Sequence, residues 1–232
     1  VRFLEKSLIT LSSACAVCVF AQTNGQSSFD ADETKFSEQL KALLATQDAY
    51  FEKRQTNELR RIHKEISDLI DQRKYPRAIH RLQQAKNEKE RFYALDDAAK
   101  ESLNVGKKDE AKAYADELAS LMDKYKDDWN YGNAVQDVNI VLGRLALAEG
   151  KIDEAKADLL KAGKSSGSGV MNSFGPNMSL AKELLEKGEK DVVLEYFDLC
   201  RKFWSFHNDK LDEWSKDVKA GKIPNFGANL EY

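Results

Sequence analysis

Apolar residues recur at three- and four-residue steps along most of this chain, and that recurrence predicts helices. Phe36, Leu40, Leu43 and Leu44 open the pattern, Tyr50 and Phe51 extend it, and Ile62, Ile66, Leu69 and Ile70 resume it after a break near Thr56. From Val138 the run VNIVLGRLALAEGKIDEAKADLLKA reads as two short helices around a Gly-Lys-Ile-Asp turn. Leu142, Leu147 and Leu159 supply its apolar face, while Gly143 and Ala155 let the two helices approach closely. Residues 22–34 (QTNGQSSFDADET) have no such period and predict a flexible lead-in. No valine-rich alternation with period two occurs, so the expected class is all-α.

The helical grammar breaks once, at 163–176 (GKSSGSGVMNSFGP). Met171 and Phe174 would be wasted in a plain linker, so this loop is expected to fold back, with Pro176 starting the next helix and Leu180, Leu184 and Leu185 facing inward. Between Val192 and Phe206 few helical positions are polar, which predicts burial on most sides. Leu211, Trp214 and Val218 make one last amphipathic helix, with Asn208 as its cap and Gly221 as its end.

Four segments share one local shape, a polar turn followed by a helix with a small or β-branched residue. They are RKYPRAIHRL around Ala78, GKKDEAKAYA around Ala111, GKIDEAKADL around Ala155 and GEKDVVLEYF around Val193. The separations are 33, 44 and 38 residues, against about 34 in a regular array of helical pairs. Tyr75-Pro76 fits the start of a helix, because proline is tolerated in a first turn. Leu142-Gly143 followed by Ala155 resembles the tetratricopeptide repeat, which pairs Leu-Gly in its first helix with Ala-x3-Phe in its second. The resemblance covers about 59–206, and it departs from the pattern at Asn139, where the repeat carries Trp, and in having no terminal Pro. It implies a right-handed solenoid of about four antiparallel helical hairpins within 35–232, closed by an aromatic-rich C-terminal capping helix. Such a fold presents a binding surface and carries no chemistry of its own. NSFGPNM at 172–178 and PNFGANL at 224–230 further resemble the C-terminal half of an uncharacterised family of exported bacterial repeat proteins, which implies no activity.

Residues 1–21 read as a secretory signal, with Arg2 and Lys6 before an apolar run at 8–21 that is too short to span a bilayer. Cleavage after Ala21 would send a bacterial protein to the periplasm or outside the cell, with no membrane span left. The formal charge of −3 over 232 residues, its signs interspersed, gives no field for nucleic acid. Cleavage would remove Cys15 and Cys18, leaving Cys200 as a small buried hydrophobe and no internal disulfide.

Candidate chemistry is sparse. Gly163-Lys164-Ser165 lacks the upstream glycine of a phosphate loop, Asp158 standing in its place. His63, His80 and His207 lie far apart, so no metal site is expected. No nucleophile–base pair can be named, so neither an enzyme nor a cofactor is expected. Asp96-Asp97 and Asp127-Asp128 read as solvated charge. One pattern stands out: Lys100, Arg144 and Lys182 occupy matching positions of successive first helices, with Ser67 in the first repeat. A ladder of cations along a groove could hold the carboxylates of a protein or peptide partner, with Ile140, Leu147, Leu185 and Leu103 as apolar contacts. The alternative is a small-molecule site formed by the 163–178 loop, the aromatic helix and the C-terminal tail, lined by Asn172, Phe174, Asn177 and Trp204.

Overall fold

A computed structural model describes residues 10–53 and 55–231, with side chains from residue 25 onward. Among the described residues every regular element is helical and none is a strand. The basic start of the expected signal, Arg2 to Lys6, lies outside the described residues. No described helix is long and apolar enough to cross a membrane.

Two compact units divide the chain, 1–73 and 74–232. In the first, α1 (Thr10–Glu52) runs through 22–34, so the expected flexible lead-in is helical instead. Its polar residues find partners that the local sequence does not show. Arg73, from α2 (Thr56–Gln83), donates to Glu33 at 2.6 and 2.9 Å and lies over the Phe29 ring. The break expected near Thr56 is the start of α2.

The second unit begins inside α2. The turn expected at Tyr75-Pro76 does not form, and Pro76 lies within the helix. The three turns described next each close on a glycine, and RKYP offers none to reverse the chain. Ile79 and Leu82 of this helix pack with Phe92 and Leu95 of α3 (Glu88–Asn104). Asn87 caps α3 by accepting the Glu90 N–H, and Glu90 reaches back to the Lys86 N–H.

The helices α4 (Lys108–Leu121), α5 (Tyr131–Ala148), α6 (Ile152–Gly163), α7 (Gly169–Phe174), α8 (Ser179–Glu186), α9 (Lys190–Cys200) and α10 (Lys210–Lys219) follow. The links α3–α4, α5–α6 and α8–α9 share one closure. Gly106, Gly150 and Gly188 take φ of 80°, 78° and 88°, and the next residue's N–H reaches five residues back at 2.8, 2.9 and 3.0 Å. Only glycine adopts that left-handed conformation without cost, and the bond satisfies a carbonyl that the helix end would orphan. Five residues past each glycine stand Ala111, Ala155 and Val193, all fully buried. Helix α3 packs on α4 and α5, α5 on α4, α6 and α8, and α9 on α6 and α8. Gly143 marks a close approach of α5 to its neighbours, since a Cβ there would meet Leu180, Asp158 and the Ala155 carbonyl.

The insert at 163–176 does fold back. Met171 is buried in the core, and the Ser165 hydroxyl donates to the Gly132 carbonyl at 2.7 Å. Phe174, however, is 56% exposed. Helix α8 starts at Ser179 rather than Pro176, because Asn177 accepts the Ser179 N–H and hydroxyl and so sets the entry. Helix α10 is preceded by Asn208 and Asp209, both left-handed, and Asp209 rather than Asn208 is its cap residue.

Candidate functional site

Lys100, Arg144 and Lys182 sit on α3, α5 and α8, each six residues before its closing glycine. All three are held by carboxylates of the chain itself. Lys100 lies 3.4 Å from Asp97, Lys182 lies 3.9 Å from Glu186, and Arg144 donates to Glu183 at 2.8 Å. Arg144 also donates to Asn104 at 3.3 Å, so one guanidinium ties α5 to both α3 and α8. Ile140 and Leu147 are 3% and 8% exposed and belong to the core that supports α5. They do not line an open surface.

Between α3 and α5 lies a charge cluster that the sequence reading assigned to solvent. Asp96 accepts the Asp97 N–H at 2.7 Å and the Asn130 carboxamide at 3.3 Å, and its carboxyl is raised to about 7. Burial is the main cause, followed by the charges of Asp97 and Asp137. Asp137 is raised to about 6, again by burial first, with Lys100 opposing. Both carboxyls keep some open surface, yet protein surrounds them on most sides. Lys100 is itself raised: burial disfavours its charge, but Asp137, Asp97 and Asp96 outweigh burial together. Asp128 is likewise not solvated charge, since it accepts from Lys89 at 3.0 Å and Tyr93 at 2.8 Å. A signal for Asp137 did exist, because it stands seven residues before Arg144 and therefore on the same helical face.

Lys100 also borders a cleft of about 320 Å³ with Lys74, Arg77, Arg81, Asp97 and Glu231. Lys74 holds Glu231 there at 3.1 Å, and Arg81 holds Asp97 at 2.9 Å. The chain's own tail thus places a carboxylate among the cations of this face.

The alternative site divides differently. Phe174 and Trp204 line a pocket of about 430 Å³ together with Phe206, Trp214 and Phe226. Asn172 and Asn177 are not part of it. Asn172 accepts the Ser205 N–H, and Asn177 is buried, its N–H donating to Gln136 and its carbonyl accepting the Tyr196 hydroxyl. Asn229 forms the far wall, donating to the carbonyls of Phe174 and Pro176 at 3.0 Å each. Phe206 and Phe226 come from the aromatic helix and tail expected around this pocket, though neither is among the residues expected to line it, and Trp214 comes from α10, which was not expected there.

Cys200 is buried in the core, and burial pushes its thiol well above the usual range, which leaves it inert. Among the described residues no group of three His, Cys, Asp or Glu side chains is placed to hold a metal ion. Compared with known proteins, the chain matches no family model, no curated protein and no solved structure.

Proposed function

We propose that this chain is a non-catalytic binding scaffold, a right-handed solenoid of tetratricopeptide-like hairpins exported to the periplasm or outside the cell. The face made by its first helices recognises an extended segment of a protein or peptide partner. The observation that carries this reading is the common register of Lys100, Arg144 and Lys182 on α3, α5 and α8, helices that pack consecutively. A shared register on consecutively packed helices suits an extended chain with periodic carboxylates.

The acids already on these cations set the terms of binding. Lys182 and Glu186 are 43% and 49% exposed, and exposed pairs of this kind contribute about 0–1 kcal/mol. A partner's carboxylate can therefore replace Glu186 at small cost. Arg144 and Glu183 are less exposed, at 23% and 34%, and Arg144 keeps its second tie to Asn104 while it receives a ligand. The partner is a competitor for paired cations, not an occupant of free ones.

The test begins with capture of partners by residues 22–232 and mapping of the bound segment. The segment is then titrated calorimetrically into the wild type and into K100Q/R144Q/K182Q at two salt concentrations. The expected result is a loss of about tenfold or more in affinity and a shallower salt dependence. Equal affinity and equal salt dependence in a folded variant would sink the proposal.

A further inference from the structure

The aromatic pocket between the α7 loop, α10 and the tail carries groups that the scaffold reading does not use. Trp204 lines this pocket and is 1% exposed overall, and its buried indole N–H meets no acceptor among the described residues. A buried donor without an acceptor is costly, and each case calls for an explanation. The Lys210 ammonium stands 5.8 Å from the centre of the Trp204 ring, within cation–π range, and has no ion-pair partner among the described residues. Glu213, one helical turn further along α10, lines the same pocket and is also outside every described ion pair. Elsewhere on this unit most cations of the helix surfaces are matched with a carboxylate, as Lys100, Arg144 and Lys156 are. One cation and one anion, a turn apart and left unmatched, face the same aromatic cavity.

The cavity has the size of a small-molecule site, about 430 Å³ against roughly 300–1,000 Å³ for such sites in general. Its floor is apolar. Trp214 and Phe226 meet edge to face at 5.0 Å, and Trp214 lies 5.7 Å from Trp204. Phe206, 62% exposed, and Phe174 stand at the rim. The approach to α10 passes through Asn208 and Asp209 at φ of 44° and 63°, left-handed conformations that few residues other than glycine, Asn and Asp adopt. That turn places Lys210 over Trp204.

We propose that this pocket binds a small zwitterion with an aromatic or large aliphatic side chain, of the free amino acid class. The carboxylate sits against the Lys210 ammonium, the ammonium against Glu213, and the side chain on the Trp214 and Phe226 rings. The unmatched charges select this class over a sugar, which would need neither, and over an aromatic acid, which Glu213 would repel.

Isothermal titration of the full chain with L-phenylalanine and L-tryptophan tests this, beside phenethylamine, which lacks the carboxylate, 3-phenylpropionate, which lacks the ammonium, and glucose. Lys210 and Glu213 are exposed on α10, so K210Q and E213Q keep the fold, checked by an unchanged thermal midpoint. The expected result is binding of the two amino acids, a loss of about tenfold or more in each variant, and a similar loss for each analogue in the wild type. In K210Q the amine should bind as well as the amino acid, and in E213Q the acid should. Binding of neither amino acid overturns the proposal. So does equal binding of a singly charged analogue or of glucose by the wild type, or amino acid binding that neither variant weakens. The ladder variant K100Q/R144Q/K182Q retains amino acid binding in all cases, which separates this site from the partner-binding face.

Discussion

Replacing Asp96 by Asn raises the stability of residues 74–232 at neutral pH, contrary to the usual outcome of removing a paired charge. In the folded chain Asp96 is raised to about 7 from 3.8, and Asp137 to about 6 from 3.8, burial being the first cause for both. The folded state therefore holds protons that the unfolded chain releases between about pH 4 and 7, so stability falls as pH rises through that window. The contribution is complete below the unfolded value and lost above the folded one. Each unit corresponds to about 1.4 kcal/mol, which bounds the Asp96 penalty above pH 7 at about 4 kcal/mol. Asp137 adds to the field on Asp96, so the two penalties do not sum, and about 2 kcal/mol is the gain expected for D96N at pH 8. An asparagine still accepts the Asp97 N–H that Asp96 accepts now, while its amide gives up the longer bond from Asn130. The measurement is urea unfolding at pH 5, 6, 7 and 8 followed by tryptophan fluorescence, since Trp129, Trp204 and Trp214 all lie in this unit. Carboxylates lowered by their partners, such as Glu88 and Glu149, act in the opposite sense and only near and below their unfolded value, so the slope between pH 6 and 8 belongs to the raised pair. D96N should exceed the wild type at pH 8, and the difference should shrink towards pH 5. A variant destabilised equally at every pH would refute the reasoning, because it would make Asp96 a simple hydrogen-bond acceptor.

Two further outcomes follow from close contacts. Alanine at Gly132 would drive its Cβ into the Gly167 carbonyl, a backbone held by the Ser165 hydroxyl, and should cost about 3 kcal/mol or more. Alanine at Gly143 meets mainly the flexible end of Leu180, and the helix propensity gained offsets about 1 kcal/mol of the strain. The thermal midpoint of G132A should therefore fall well below that of G143A; the reverse order would refute the distinction between backbone and side-chain neighbours. Asn229→Ala removes both bonds that hold the tail to the Phe174 and Pro176 carbonyls, and also leaves those carbonyls to find water. Trypsin should then cut after Lys222 several-fold faster under native conditions, and an unchanged cutting rate would show that Phe226 and the Met178 N–H bond to the Asn229 carbonyl suffice to anchor the segment.

What could be read in the sequence was mostly what a single helix or turn decides for itself. Gly106, Gly150 and Gly188 mark reversals because a left-handed residue is needed there, and Gly221 ends α10 in the same way with φ of 75°. The buried residues five places on, Ala111, Ala155 and Val193, follow from the helix period. Errors came where a distant element decides. Periodicity cannot tell that Tyr75-Pro76 continues a helix when no glycine stands ready to stop it. Nor does the polar run 22–34 show that Arg73, forty residues past Glu33, supplies its partner. Asp96 and Asp137 become a cluster only because α3 and α5 pack side by side, and adjacency in sequence argued for solvent instead.

The candidate sites obey the same division. Lys100, Arg144 and Lys182 each stand six residues before a left-handed glycine, but the cations alone do not reveal their electrostatics. The neutralising acids Asp97 and Glu186 lie three and four residues away on the same helices, where such pairs meet. Arg144 takes its acid from α8, at Glu183, which no local rule supplies. Because every rung is already paired, attraction at a distance is weak, and a partner gains mainly from exchanging one carboxylate for another at short range. Its specificity must then rest on spacing, with carboxylates positioned to meet α3, α5 and α8 together, more than on total negative charge. A scrambled peptide of equal charge should bind the proposed face distinctly more weakly than the mapped segment, and equal binding would reduce the ladder to nonspecific attraction.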